Sequence, residues 1–475
     1  MLLCFMKYYW SKYNSIFKDK KYSFFLYNSL SNKLFELDEF NYKLLASFQG
    51  KEIKKNQLSL INQSIAKILL ENLILVKKND DKLTLLGKQH NRNKLSYDVS
   101  NLALTICPTL GCNFACSYCF ENSQNDYNKM DNIVIEQILK FIKRFDKAKD
   151  LSITWYGGEP TLVFDVIRNI TNKIKLLDIK FKEASIITNG YLLNKNKINL
   201  LNDLKIKSVQ VTIDGKKDVH DRRRFLLSGK PTYKKIIKNI QDLMNSSYEG
   251  SCDIRVNIDK SNYSEYLELR KELLQSFKNK KVFVYAGRVE TFNDNTCGLN
   301  CNLSSNEWAD FTINLFKNNN EAPGEHIYPD SNLENVCSAN SINSFVIGTK
   351  GELYKCWEDV GKKEYVVGNI FEDDFITNRE LISMYDVGTN PYLDKDCIDC
   401  SILPICGGGC VNRRLRDKFF NEKNMNYCSL YKDNLIMYLM EYYDNLLTKE
   451  IVNSFTKQGK MEIKGIKGFR LVSPS

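Results

Sequence analysis

The sequence predicts an α/β chain in which a partial (β/α)6 barrel of the TIM type lies between a small winged-helix-like N-terminal module and a cysteine-rich C-terminal domain. Three observations carry this. From about residue 100, apolar strand patterns alternate with helical ones six times; the segment before it has a different element order; and beyond residue 330, seven of the fifteen cysteines fall close together. A chain of 475 residues is long enough for two or three domains with full cores. The divisions expected are 1–95, 100–310, 330–435 and a C-terminal helix and tail over 436–475.

In the N-terminal module, residues 24–27 and 34–37 are short apolar strands flanking the polar turn Asn28-Ser29-Leu30-Ser31-Asn32, a hairpin pattern. Helical patterns follow at 40–48 and 58–72, and the stretches 73–77 and 82–86 then flank Asn79-Asp80-Asp81 as an expected second hairpin. Residues 1–100 hold 17 Lys and Arg against 9 Asp and Glu, a net +8 of the chain's +11. This charge suits either a dock for an acidic partner or a solvated lysine face. Its lysines are scattered, without the interleaved aromatics of a nucleic-acid surface, so no nucleic-acid partner is expected.

The barrel strands are expected at 102–106, 151–156, 184–188, 208–213, 254–258 and 282–285. Between the first two, Ile135, Ile138, Leu139 and Ile142 lie at helical spacing behind Asp131, placed as N-cap. A parallel sheet of this kind keeps its reactive groups on the loops after the strands' C-terminal ends.

After the first strand stand Cys112, Cys116 and Cys119, in Cys-Asn-Phe-Ala-Cys-Ser-Tyr-Cys followed by Phe120 and Glu121. Three thiolates are one too few for a four-iron cube, so a cluster held here leaves one iron open to a small molecule. Zinc sites use paired Cys-x2-Cys steps and close the shell with four protein ligands. Only His90, His220 and His326 occur, which disfavours a histidine-rich metal site. The loop resembles that of the radical S-adenosylmethionine (radical SAM) enzymes. The resemblance implies a [4Fe-4S] cluster whose open iron chelates S-adenosylmethionine. It implies a catalytic role for Cys112, Cys116 and Cys119, cleavage of the cofactor to a 5′-deoxyadenosyl radical, and a low-potential electron donor such as ferredoxin or flavodoxin.

The later strand ends carry further features of that family. Gly157-Gly158-Glu159-Pro160 follows the second strand, its glycines permitting close backbone approach to a ligand. Thr188-Asn189-Gly190 follows the third, Asp214-Gly215 with His220, Asp221 and Arg224 the fourth, and the fifth contributes Arg255, Asn257 and Asp259. The resemblance implies S-adenosylmethionine contacts at Gly157, Gly158, Glu159, Pro160, Thr188, Asn189, Asp214 and Asn257. For His220 and Arg224, capping or ion-pair roles stand beside cofactor contact.

Cys337 is followed by thirteen residues, Gly351, four residues and Cys356; then come Cys397, Cys400, Cys406, Cys410 and Cys428. This order resembles the SPASM extension, which binds two auxiliary four-iron clusters in enzymes that modify peptides and proteins. The resemblance implies Cys337, Cys356 and Cys410 on the first auxiliary cluster and Cys397, Cys400, Cys406 and Cys428 on the second, three [4Fe-4S] clusters in all. Gly407-Gly408-Gly409 would let the backbone wrap a cluster. Two full clusters need an eighth thiolate: Cys301, favoured here, or Cys297, or an open iron able to hold a substrate thiolate. Cys4, Cys107 and Cys252 read as structural.

The resemblance extends to a ribosomally made precursor peptide as partner, its leader captured by the N-terminal module as an added strand, with a purely structural cap as the alternative. In sulfatase-maturing members an aspartate follows the cysteine matching Cys356 and serves as base in making formylglycine. This chain has Trp357, then Glu358 and Asp359, so that base is absent unless Asp359 reaches in. Lys355-Cys356-Trp357 resembles maturases of Cys-rich peptides, which implies thioether formation. Carbon–carbon crosslinking, epimerisation and formylglycine formation remain alternatives, as does a non-enzymatic electron carrier. The N-terminus lacks a signal-peptide pattern and charges interrupt every apolar run, so a cytoplasmic protein without membrane association is expected.

Overall fold

A computed structural model describes residues 7–20, 23–53, 55–58, 60–119, 127–278, 280–290, 301–318, 327–330, 336–423, 425–455 and 468–473. Cys4, Phe120, Glu121, Cys297 and His326 lie outside the described residues.

Six strands build the N-terminal module: β1 (Tyr8–Trp10), β2 (Asn14–Lys18), β3 (Phe24–Asn28), β4 (Lys33–Leu37), β5 (Glu52–Ile53) and β6 (Leu75–Val76). The expected hairpin is β3 with β4, in register from Phe24 opposite Leu37 to Asn28 opposite Lys33. Its turn closes because the Asn28 side chain accepts from the Ser31 amide at 2.8 Å and Asn32 takes the left-handed conformation. Helix Glu39–Ala46 starts on Asp38, whose carboxylate accepts from the Asn41 amide. The 58–72 pattern divides into Lys55–Leu58 and Gln63–Glu71, because Asn62 caps the second piece.

The second expected hairpin is corrected. β6 pairs with β1, Tyr9 opposite Val76, while 82–86 lies inside the helix Asp80–Ser96. Asn79 reverses the chain in the left-handed conformation, and the Asp80 carboxylate accepts from the Lys77 amide at 2.8 Å. Asp80 and Asp81 then sit in the helix's first turn, where carboxylates are favoured.

The barrel strands are β7 (Asn101–Ile106), β8 (Asp150–Trp155), β9 (Lys180–Thr188), β10 (Ile206–Thr212), β11 (Ser251–Ile258) and β12 (Val282–Arg288). They are parallel and adjacent in chain order. Along β8, Leu151, Ile153 and Trp155 are buried with Ile138 and Phe141 of helix Asn132–Lys143 and Ile167 and Ile170 of helix Phe164–Ile174. Asp131 caps the first of these helices, accepting from the Val134 amide at 2.9 Å.

The C-terminal domain does not stand apart. Its strand β13 (Ser344–Ile347) joins β7 in parallel, with β14 (Glu352–Tyr354) and β15 (Gly368–Asn369) beyond, making one nine-stranded sheet. Phe345 and Phe375 pack edge-on against Phe141, fusing the two cores. After the helix Tyr431–Phe455, β16 (Phe469–Leu471) returns to the N-terminal module and pairs with β4, in a sheet ordered β16-β4-β3-β2. Among the described residues, no helix is long and apolar enough to cross a membrane.

Candidate active site

Loops after β7, β8 and β9 meet at one end of the sheet. Gly157 and Gly158 press on the cysteine loop itself: a Cβ at Gly157 would lie 2.3 Å from the Thr109 carbonyl oxygen, and one at Gly158 2.3 Å from that of Leu110. The Gly158 and Glu159 amides donate to the Thr109 and Gly111 carbonyls at 3.2 and 2.9 Å. These glycines therefore clamp loop on loop, a closer approach than any side chain permits.

Glu159 is fully buried and holds the third loop. Its carboxylate accepts from the Thr188 hydroxyl at 2.6 Å, the Asn189 amide at 2.7 Å and the Thr161 amide at 3.0 Å, where Pro160 opens a single helical turn. Asn189 then reaches the cysteine loop, its side chain donating to Asn113 at 2.8 Å and lying 4.0 Å from the Cys112 sulfur. Glu159 is thus a positioning residue, and Asn189 is the group that touches the cysteines.

A second network closes the other side. The Tyr118 hydroxyl, between Cys116 and Cys119, donates to Asp214 and accepts from Arg224 at 2.6 Å and Asn257 at 3.1 Å. Arg223 binds Asp259 at 2.5 Å and approaches Asp214 at 3.5 Å. Tyr118 and Arg223 escaped sequence reasoning; the aromatic residue directly before the third cysteine was the available signal. Buried His220 makes a structural pair, accepting from the Asp214 amide at 3.2 Å and meeting the Thr232 hydroxyl at 3.0 Å. Asp221 caps helix Tyr233–Met244 through the Thr232 and Tyr233 amides.

The three thiols are free. Burial first, then the Glu159 charge and the neighbouring Cys116 and Cys119, pushes Cys112 up to about 12. Burial likewise raises Cys116, against the pull of the Arg224 guanidinium. Thiols so placed become thiolates only beside added positive charge, which a metal centre supplies. Among the described residues no three His, Cys, Asp or Glu side chains converge tightly enough for a single ion. A cube attaches each thiolate to a different iron, and three thiols on one loop, Cys112, Cys116 and Cys119, are a donor set that fits an iron–sulfur cluster.

The later cysteines gather in two places. Cys337, Cys356 and Cys410 line one cavity of 420 Å³, together with Trp357, Glu358 and Asn412. Ala103, Thr105, Ser152 and Thr154 line it too, so it opens on the face of β7 and β8 opposite the helices. Cys397, Cys400, Cys406 and Cys428 form the second group. Cys406 acts electrostatically on both Cys397 and Cys428, Lys432 feels Cys428 and Cys400, and Arg414 donates to the Cys397 sulfur at 2.9 Å. A Cβ at Gly409 would lie 1.6 Å from the Tyr427 carbonyl oxygen, so the glycine run closes against the segment bearing Cys428. Cys301 is disulfide-bonded, and its carbonyl accepts from the Lys260 amide at 3.0 Å. Cys107 and Cys252 are buried in the barrel core.

Asp359 does not reach in as a base. It is fully buried and bound by the Tyr385 hydroxyl at 2.5 Å, the Asn412 amide group at 2.8 Å and the Arg416 guanidinium at 2.7 Å. Glu358 is the carboxylate on the cavity, raised by burial against the pull of Arg416. Trp357 packs on Tyr156, directly after β8, with ring centroids 5.9 Å apart.

Comparison with known proteins agrees with this geometry. Residues 106–273, from the end of β7 through the helix after β11, match the family model of the Radical SAM superfamily. The cysteine-type anaerobic sulfatase-maturating enzyme of Clostridium perfringens is 25% identical over 370 residues, 70% of this chain and 95% of that protein. The radical SAM cyclopropyl synthase TigE of Paramaledivibacter caminithermalis is 23% identical over 94% of this chain and 98% of its own length. A solved structure, native anSMEcpe with bound AdoMet and Cp18Cys peptide, shares the fold with a TM-score of 0.55 at 22% identity, covering 75% of this chain and 99% of that one. The three-cysteine loop and the strand-end network that clamps it lie inside the matched region, so residues 106–273 carry a Radical SAM domain.

Proposed function

We propose that this enzyme is a peptide maturase whose product is a thioether, a bond from a cysteine sulfur to a carbon of another residue. When bound at Cys112, Cys116 and Cys119, a [4Fe-4S] cluster with S-adenosylmethionine supplies a 5′-deoxyadenosyl radical that takes hydrogen from carbon. Asn189 and the Tyr118 network fix the cysteine loop, and Glu159 fixes Asn189.

One observation carries the reading. Three cysteines, Cys337, Cys356 and Cys410, line a cavity on the barrel's inner face. Three thiolates leave a fourth place on a cube, which a peptide's cysteine would fill. The second set, Cys397, Cys400, Cys406 and Cys428, has four donors and would hold a closed cluster. Asp359 is committed to Arg416, Asn412 and Tyr385, which removes it as the base of a sulfatase-type outcome and leaves Glu358 as the carboxylate on the cavity. The likeness to sulfatase-maturating enzymes and to anSMEcpe with a bound peptide supports a peptide or protein substrate.

A second reading is carbon–carbon bond formation, favoured by the match to a cyclopropyl synthase over nearly the whole chain. One measurement separates the two. A Cys-rich peptide is incubated anaerobically with the reconstituted, reduced enzyme and S-adenosylmethionine. A thioether removes a pair of hydrogens and withdraws a thiol from alkylation. Loss of the same mass with every thiol still alkylated identifies the carbon–carbon product, and conversion of a thiol to an aldehyde identifies formylglycine.

A further inference from the structure

The second cysteine set carries a cation at its centre. Arg414 stands one turn into helix Val411–Phe420, its amide bonded to the Cys410 carbonyl at 3.0 Å. Its side chain is buried and touches each of the three segments that bear the set. It donates to the Cys397 sulfur at 2.9 Å and to the Asp394 carboxylate, three residues earlier, at 2.6 Å. It also donates to the carbonyl of Gly408, between Cys406 and Cys410, at 2.8 Å. Its guanidinium lies 4.4 Å from the ring centroid of Tyr427, the residue before Cys428.

The contacts with Asp394, Gly408 and Tyr427 would hold the loops together whatever the cysteines carried. The bond to sulfur is different, because it sets a permanent positive charge on one of four thiols suited to a closed cube. On reduction a cluster gains one negative charge, spread over its sulfurs. A cationic donor on a ligand sulfur stabilises that form more than the oxidised one, and so raises the potential. Burial decides which cation counts. Lys432 also approaches sulfur, 3.6 Å from Cys428, but it is exposed and screened by water. Arg414 is out of water, and its counter-charge, Asp394, is shared with Lys418, so the carboxylate does not cancel it. At the first set the sulfurs are served by backbone amides, those of Glu358 at Cys356 and of Asn412 and Arg413 at Cys410, and the carboxylate of Glu358 lines that cavity.

We infer that Arg414 is a positioning residue of the second set: it joins the three cysteine-bearing segments and raises the reduction potential of the cluster they hold above what four thiolates alone would give. The inference rests on the reading of Cys397, Cys400, Cys406 and Cys428 as a closed four-iron site, and adds what sets its affinity for an electron.

The test is a redox titration of the full, anaerobically reconstituted chain, followed by electron paramagnetic resonance, with iron counted on the same samples. R414Q lowers one reduction step by about 59 mV or more, a tenfold shift of the one-electron equilibrium. The step it moves is the one missing from C397A/C400A/C406A/C428A. R414K keeps the charge without the planar fork and moves the same step less. D394N removes the counter-charge while still able to cap helix Lys395–Ile398, and raises that step. Where R414Q does not keep its iron, the D394N result decides. Unmoved steps in R414Q with its iron intact, equal shifts of every step, or no rise in D394N overturns the inference. Iron separates such a failure from that of the reading beneath it. C397A/C400A/C406A/C428A loses about a third of the iron if the set holds a cube, and an unchanged count there overturns both.

Discussion

His220 shows how the strand-end network sets its own pH limits. Burial first, then Arg224, lowers the imidazole to about 4 from its ordinary 6.5, so the folded protein holds it neutral. Between these values the unfolded chain binds a proton that the folded one refuses. Stability is therefore full above about pH 6.5 and is lost as pH falls toward 4, by roughly 3 kcal/mol if no other group compensates. Urea midpoints measured across this range are expected to fall for the native chain and to fall less steeply for His220→Gln. A parallel fall in both would show that other groups carry the pH dependence. The cysteines and the Gly157–Pro160 run were legible in sequence because short spacing defines them. Tyr118, Arg223 and the confinement of Asp359 were not, since their partners Asp214, Asp259 and Arg416 come from other strands or helices and only folding brings them together.

Elements were legible where a local pattern decided them and hidden where a distant partner did. The six barrel strands alternate or run apolar and end where expected to within a few residues. Residues 82–86 carry an apolar content that suits strand or helix; Asn79 and the acidic first turn settle it as helix. β13 and β16 are short, and each exists because a strand remote in sequence, β7 or β4, offers it hydrogen bonds. For β16 the anchor is Phe469, buried in the module's core against Phe35 with ring centroids 4.9 Å apart. Phe469→Ala is expected to cost about 3 kcal/mol locally, through lost contacts and the cavity left behind. Hydrogen exchange then reports it: amides of β4 speed up while those of β7 and β8 keep their protection. Unchanged exchange at β4 would mean that the tail adds nothing to the sheet.

At the scale of the molecule, the cysteine sets belong to one connected body. β13 extends the barrel sheet, Trp357 packs on the residue after β8, and the cavity holding Cys337, Cys356 and Cys410 is walled by β7 and β8. The loop bearing Cys112, Cys116 and Cys119 follows β7, so two of the three sets share a single strand as support. Of the remaining set, Cys400 and Cys406 pack instead against the N-terminal module near Phe17, and Cys397 near Tyr13. If each cysteine set holds one cube, the chain carries about 12 irons after anaerobic reconstitution. Replacing Cys112, Cys116 and Cys119 by alanine should remove about a third of that iron and all 5′-deoxyadenosine formation. Replacing Cys337, Cys356 and Cys410 should also remove about a third, yet leave cofactor cleavage in place, because the radical-forming loop keeps its own ligands. Iron and 5′-deoxyadenosine assayed on the same preparations decide the matter. If the second variant lost cleavage while keeping its fold by circular dichroism, the sets would not be independent, and the assignment of separate clusters would fall.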